Sequence, residues 1–166
     1  MSVAQHSLSV LAIREHASPA LAAGPALYEL LHDAEEGLLG FDCIAPLKVF
    51  LGTPFAQLCS RLTAAINERH TLPAITTDEY RRHKTADRIA AASEALHIVG
   101  WSMIQITNDL HLSATPLTLD PLGTLAAKGG FRPWEPWPSE FAAAQWLRRL
   151  QHERDRLDPN DAENLP

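Results

Sequence analysis

Pro25-Ala-Leu-Tyr-Glu-Leu-Leu-His-Asp-Ala-Glu-Glu36 is the stretch on which the reading of this chain turns. Ala26, Leu27, Leu30 and Leu31 recur at the three- and four-residue spacing of one helical face, which predicts a helix with a buried stripe. That helix begins at Pro25, where Gly24-Pro25 interrupts the preceding segment, and its apolar stripe runs out at the doublet His32-Asp33. Neighbouring residues on a helix point about 100° apart, so the two side chains reach one point only where the helix ends or crosses others. Gly37, at the head of a break expected to extend to Pro46, supplies such an end.

The same period continues outward. Residues 2–17 carry Val3, Leu8, Leu11 and Ile13 on a helical stripe that places His6 near the interior. Ser18-Pro19 has the form of an N-cap followed by proline at the first helical position. Thr53-Pro54 starts an amphipathic helix through Phe55, Leu58, Cys59, Leu62 and Ile66, closed by residues 70–73. Thr77-Asp-Glu-Tyr80 opens another with acids in its first turn, reaching Val99 by way of Lys84, Asp87 and Ala95. Residues 109–139 are rich in proline, glycine and tryptophan and are expected as an ordered loop. A last helix starts at Ser139-Glu140. No segment alternates convincingly as a strand, so the expected fold is all-α: one helical domain over residues 1–157, with residues 158–166 as a disordered tail.

At 166 residues with a net charge of −6, the chain is long enough for a core of its own and too acidic for broad binding to a nucleic-acid polymer or an anionic membrane. The two cysteines, Cys43 and Cys59, have no metal-binding or redox spacing and read as reduced core thiols. No basic leader and no membrane-length apolar run is present, which predicts a cytoplasmic protein.

His6, His32, Asp33 and Asp87 together form a donor set of imidazole nitrogen and carboxylate oxygen, suited to Mn, Fe, Co or Zn. Glu36 follows His32 by four residues and Asp33 by three, on the same helical face, where it would activate or orient water. Lys84 precedes Asp87 by three and would neutralise a phosphate oxygen, with Lys48, on a loop, as a second candidate. Taken singly, each of these residues is more simply a core or surface side chain; their combination carries the reading. Glu35 is assigned to the surface. His16, His70, His83, His97, His111 and His152 receive no role, and Trp134, Trp137 and Trp146 are expected to pack the last helix onto the core.

Val3-Ala-Gln-His-Ser7, Leu30-Leu-His-Asp-Ala-Glu-Glu36, Pro46-Leu47-Lys48, Ala64-Ala-Ile-Asn-Glu68 and Lys84-Thr-Ala-Asp-Arg88, in this order, resemble the HD-domain phosphohydrolases. Within that superfamily they are most similar to the small 5′-deoxynucleotidases and related phage deoxynucleotide phosphohydrolases. The resemblance covers most of residues 3–99. It implies metal ligation by His6, His32, Asp33 and Asp87, water activation by Glu36, phosphate contact by Lys84 and an all-helical fold. The implied activity is metal-dependent removal of phosphate from a nucleotide, most simply a deoxynucleoside 5′-monophosphate. The alternatives are a deoxynucleoside triphosphate phosphohydrolase and a non-catalytic nucleotide-binding protein. A homodimer is also implied. Such proteins carry a helix and a basic-aromatic segment before the first histidine, whereas five residues precede His6 here, so either the start is misassigned, the sequence is trimmed, or part of that pocket is missing.

Overall fold

The computed structural model describes residues 1–41, 43 and 45–157, and among these every regular element is a helix. The expected tail, residues 158–166, lies outside the described residues. In chain order the elements are α1 (Val3–Ala17), α2 (Ala23–Leu31), α3 (Ala34–Leu39), α4 (Ala45–Arg69) and α5 (Thr77–Glu94). A π-helical turn (Ala95–Val99), α6 (Met103–Asp109), α7 (Gly123–Lys128) and α8 (Ser139–Arg156) follow.

α1 is the axis of the bundle, packed on α2, α5 and α8. It has no single inner stripe, because Gln5, Ser7, Leu8, Ser9, Val10, Leu11 and Arg14 are all buried. A helix enclosed on several sides must satisfy its polar groups internally. Gln5 does so by donating to the Glu135 carbonyl (3.0 Å) and accepting from the Trp137 N–H (2.8 Å), which ties the C-terminal loop to α1. Leu8 and Leu11 meet Leu27, Leu30, Leu31, Trp137 and Leu150 in the main core.

Several local expectations change. Ser18 ends α1 instead of starting a helix: its N–H bonds back to the Arg14 and Glu15 carbonyls. α2 begins at Ala23, with Gly24-Pro25 inside its first turn, where a proline lacks only a hydrogen that has no helical partner. The chain breaks at His32-Asp33 itself, and α3 runs through Gly37 to Gly40, whose positive φ of 76° ends it. Helix also precedes Thr53: α4 starts at Ala45 and bends at Gly52 (φ 62°, ψ −151°), a conformation that a side chain would strain. Lys48 therefore sits on a helix, where a loop was expected.

Trp137 is buried among Phe131 and Phe141, and Trp146 donates to the Leu30 carbonyl (2.9 Å), so both do hold α8 to the core. Trp134 differs, stacking on His97 of the π-turn with ring centroids 4.4 Å apart. Among the described residues, no helix is long and apolar enough to cross a membrane.

Candidate metal centre

The step between α2 and α3 decides the geometry. His32 still has helical backbone angles (φ −61°, ψ −29°), whereas Asp33 does not (φ −115°, ψ 19°). Leaving the helix at that residue removes the usual divergence of neighbours, and His32 Nε2 lies 3.0 Å from Asp33 Oδ2. α1 brings His6 to the same place: its Nε2 is 3.4 Å from Asp87 Oδ1 on α5 and 3.9 Å from Asp33 Oδ2. One donor atom each from His6, His32 and Asp87 lies within 4.8 Å of the others. Metal bonds of about 2.0–2.2 Å hold ligand atoms no more than about 4.3 Å apart, so the cluster needs little adjustment to close on one ion.

Both imidazoles direct Nε2 inward because Nδ1 is occupied elsewhere. His6 Nδ1 lies 2.7 Å from Glu94 Oε1, and His32 Nδ1 lies 2.8 Å from the Glu29 carbonyl. The His32 Nε2 atom is buried and makes no hydrogen bond among the described residues; Asp33, although close, is out of line for one. When the ring is neutral, Nε2 is a buried acceptor facing the Asp33 carboxylate, and a bound cation would satisfy both. The donor set and this inward-facing nitrogen fit a divalent transition metal.

The charges agree. Burial opposes protonation of His6, but the carboxylates of Asp87, Glu94 and Asp33 outweigh it and push the imidazole up to about 10. Burial likewise opposes protonation of His32, and the neighbouring Asp33 carboxylate raises it overall. Against their own burial, Asp33 is lowered by His32 and His6, and Asp87 is held far below the carboxylate range by His6 and Lys84. Protons on the histidines thus supply positive charge that a metal ion would otherwise provide.

A polar cavity of about 370 Å³ opens over the cluster, lined by His6, Asp33, Glu36, Lys48, Lys84, Asp87 and Glu94. Along α5, Lys84, Asp87, Ala91 and Glu94 form the wall at three- and four-residue spacing. Lys84 Nζ bonds Asp87 Oδ2 (2.9 Å), so the proposed phosphate contact is also a partner of a proposed ligand. Glu36, buried on α3, pairs with half-exposed Lys48 on α4 at 3.1 Å. Every sequence-assigned site residue except His32 lines this cavity, and His32 lies just beneath it.

Glu35, read from the sequence as a surface acid, is half-buried, and its Oε2 has no hydrogen-bond partner among the described residues. It faces a smaller space of about 150 Å³ between α3 and α4 that also touches Cys43 and Cys59. Cys43 is buried; Cys59 is only partly so.

Four contributors escaped the sequence reading. Glu29 is 1% exposed, bonded to Arg14 Nε (2.8 Å) and to His83 Nδ1 (2.6 Å), while Arg14 also pairs with Glu79. The His83 ring packs edge-on against His32 at 4.8 Å. This buried set joins α1, α2 and α5 behind the proposed ligands. The fourth, Glu94, falls on the Lys84–Asp87 stripe two turns beyond Asp87, a spacing visible in the sequence. The carbonyl that orients His32 leaves no such trace.

No family model matches the chain. It is similar to an uncharacterized protein of Rhodobacter capsulatus, with 42% identity over 102 residues, 61% of this chain and 52% of that protein. The chain thus spans about half the length of the curated relative it matches.

Proposed function

We propose that this chain is a metal-dependent phosphohydrolase of the HD-domain type, acting on a deoxynucleoside 5′-monophosphate or a closely related nucleotide. The observation that carries the reading is the convergence of His6, His32, Asp33 and Asp87 beneath a cavity that also holds Glu36, Lys48 and Lys84. Mn, Fe, Co or Zn bound there would lower the pKa of a coordinated water towards ~7 and polarise a phosphoryl oxygen.

The protein groups divide the remaining work. Glu36 takes the proton of the attacking water. Lys84 and Lys48 neutralise the non-bridging phosphate oxygens from α5 and α4, on opposite walls of the cavity. As water oxygen bonds to phosphorus, the ester P–O bond breaks, and the proton that Glu36 took from water passes to the leaving alkoxide, giving the nucleoside and inorganic phosphate. Lys48 also pairs with Glu36 at 3.1 Å, so the same ammonium stands beside both the proposed base and the phosphate position.

The test is phosphate release from deoxynucleoside mono- and triphosphates by protein loaded in turn with Mn, Co, Fe and Zn. The expected result is one inorganic phosphate per monophosphate. Release of a polyphosphate from a triphosphate would establish the triphosphohydrolase alternative. Binding of metal and nucleotide with no phosphate under any of the four metals would establish a non-catalytic binding protein.

A further inference from the structure

We propose that Glu94 is the positioning residue of His6, fixing its tautomer and ring plane so that Nε2 faces the metal; this inference rests on the metal-centre reading above. The two histidines face the same demand in different surroundings. His32 stands at the end of α2 and reaches the Glu29 carbonyl one turn back. His6 lies within α1, where backbone carbonyls serve the helix ladder, the Ser2 carbonyl already accepting from His6's own N–H at 3.0 Å. The ring must therefore find its second acceptor on another element, and Glu94 Oε1 meets Nδ1 at 2.7 Å.

The placement suits that role. Glu94 shares a face of α5 with Asp87, and Ala91 between them has only a methyl group to set in the line from the α5 wall to the His6 ring. The two side chains are 16% and 19% exposed, so water competes weakly for the bond. Because Oε1 meets the ring nitrogen remote from the ligand cluster, Glu94 acts through His6. Metal-bound histidines commonly donate their other N–H to a carboxylate, and losing that partner typically costs about 10–100-fold in metal affinity.

The experiment measures Co²⁺ binding by the full chain through titration calorimetry and visible absorption, for wild type, Glu94→Ala, Glu94→Gln and Glu94→Asp. Glu94→Ala is expected to bind about 10–100-fold more weakly with altered absorption bands. Glu94→Gln, which keeps an acceptor at the same reach, should recover most of the affinity. Glu94→Asp, one methylene too short, should bind weakly with helical content intact, a control should the alanine variant fail to fold. Glu94→Ala or Glu94→Asp protein that is folded and binds Co²⁺ within about twofold of wild type overturns the positioning role alone, leaving the metal centre standing. Absence of Co²⁺ binding by wild type overturns the metal centre itself.

Discussion

The cavity has one wall fixed by buried charge and another held by little. On the α1–α2–α5 side, Arg14, Glu29 and His83 are all at most 3% exposed, with Arg14 and His83 both bonded to Glu29 behind the proposed ligands. On the α3–α4 side, Lys48 is half-exposed, and Val49 and Phe50 beside it are 82% and 85% exposed. α4 stays largely exposed beyond this segment, with Leu58 43% exposed, and joins the core at Ile66. Metal ligation tolerates only small errors of position, whereas a lysine meeting a phosphate acts as a mobile point charge. The rigid wall bears the proposed ligands, and the loosely held one bears Lys48.

The sharpest way to break this contrast is Asp33→Ala, which is expected to abolish metal-dependent phosphate release while circular dichroism stays near wild type. Full activity in metal-free Asp33→Ala protein would sink the hydrolase reading. Next in size is Glu29→Ala, which strands the Arg14 and His83 side chains without their shared buried partner. Breaking such a pair typically costs about 3–5 kcal/mol, so denaturant unfolding should show a loss of that order. A change below about 1 kcal/mol would mean that the rigid wall does not depend on this network.

The ligand side should also respond to pH once divalent ions are chelated. His6 is raised from 6.5 to about 10, so its contribution to stability is fully present below pH 6.5 and lost as the pH climbs towards 10. Asp33 and Asp87 are lowered, so their contributions hold above about pH 4 and are lost on acidification. Between pH 7 and 9 the Tm of chelated protein should fall by about 5 °C, and saturating divalent metal should flatten the slope. A Tm that rises across that range would contradict the charge balance described for His6.

On the looser wall the expected effects are smaller. Lys48→Ala should raise KM for the nucleotide about tenfold, equivalent to about 1.4 kcal/mol, with Tm unchanged. An unchanged KM would remove Lys48 from substrate binding. Smallest is Phe50→Glu, which should alter monomer stability by no more than about 0.5 kcal/mol. If a second copy covers Val49 and Phe50, the same substitution shifts sedimentation from dimer to monomer.

The two walls were also unequally legible in the sequence. Periodicity located the body of α2, α5 and α8, because each buries a stripe against a neighbour, and it located α1 although that helix is enclosed on several sides. It missed residues 45–51 of α4 because Val49 and Phe50 face solvent and leave no inward pattern. His32-Asp33 was readable as a metal pair only on condition that a helix ended nearby. That end falls at the doublet, one turn before Gly37, because Asp33 itself leaves the helical conformation. Spacing could place Glu36, Lys84 and Asp87 on their helical faces, with their roles coming from the combination and the resemblance, whereas the Arg14–Glu29–His83 set joins residues 15 and 54 positions apart and has no local signature.

The π-turn at residues 95–99 has a bearing on how this protein can diverge. Such a turn takes up an extra residue within a helix, so it marks a point where the chain's length can change without rotating what lies upstream. The Lys84-to-Glu94 face is completed just before it. Insertions or deletions after Glu94 can therefore remodel the surface carrying α6 and Trp134 while the angular relation of Asp87 and Glu94 to His6 is preserved.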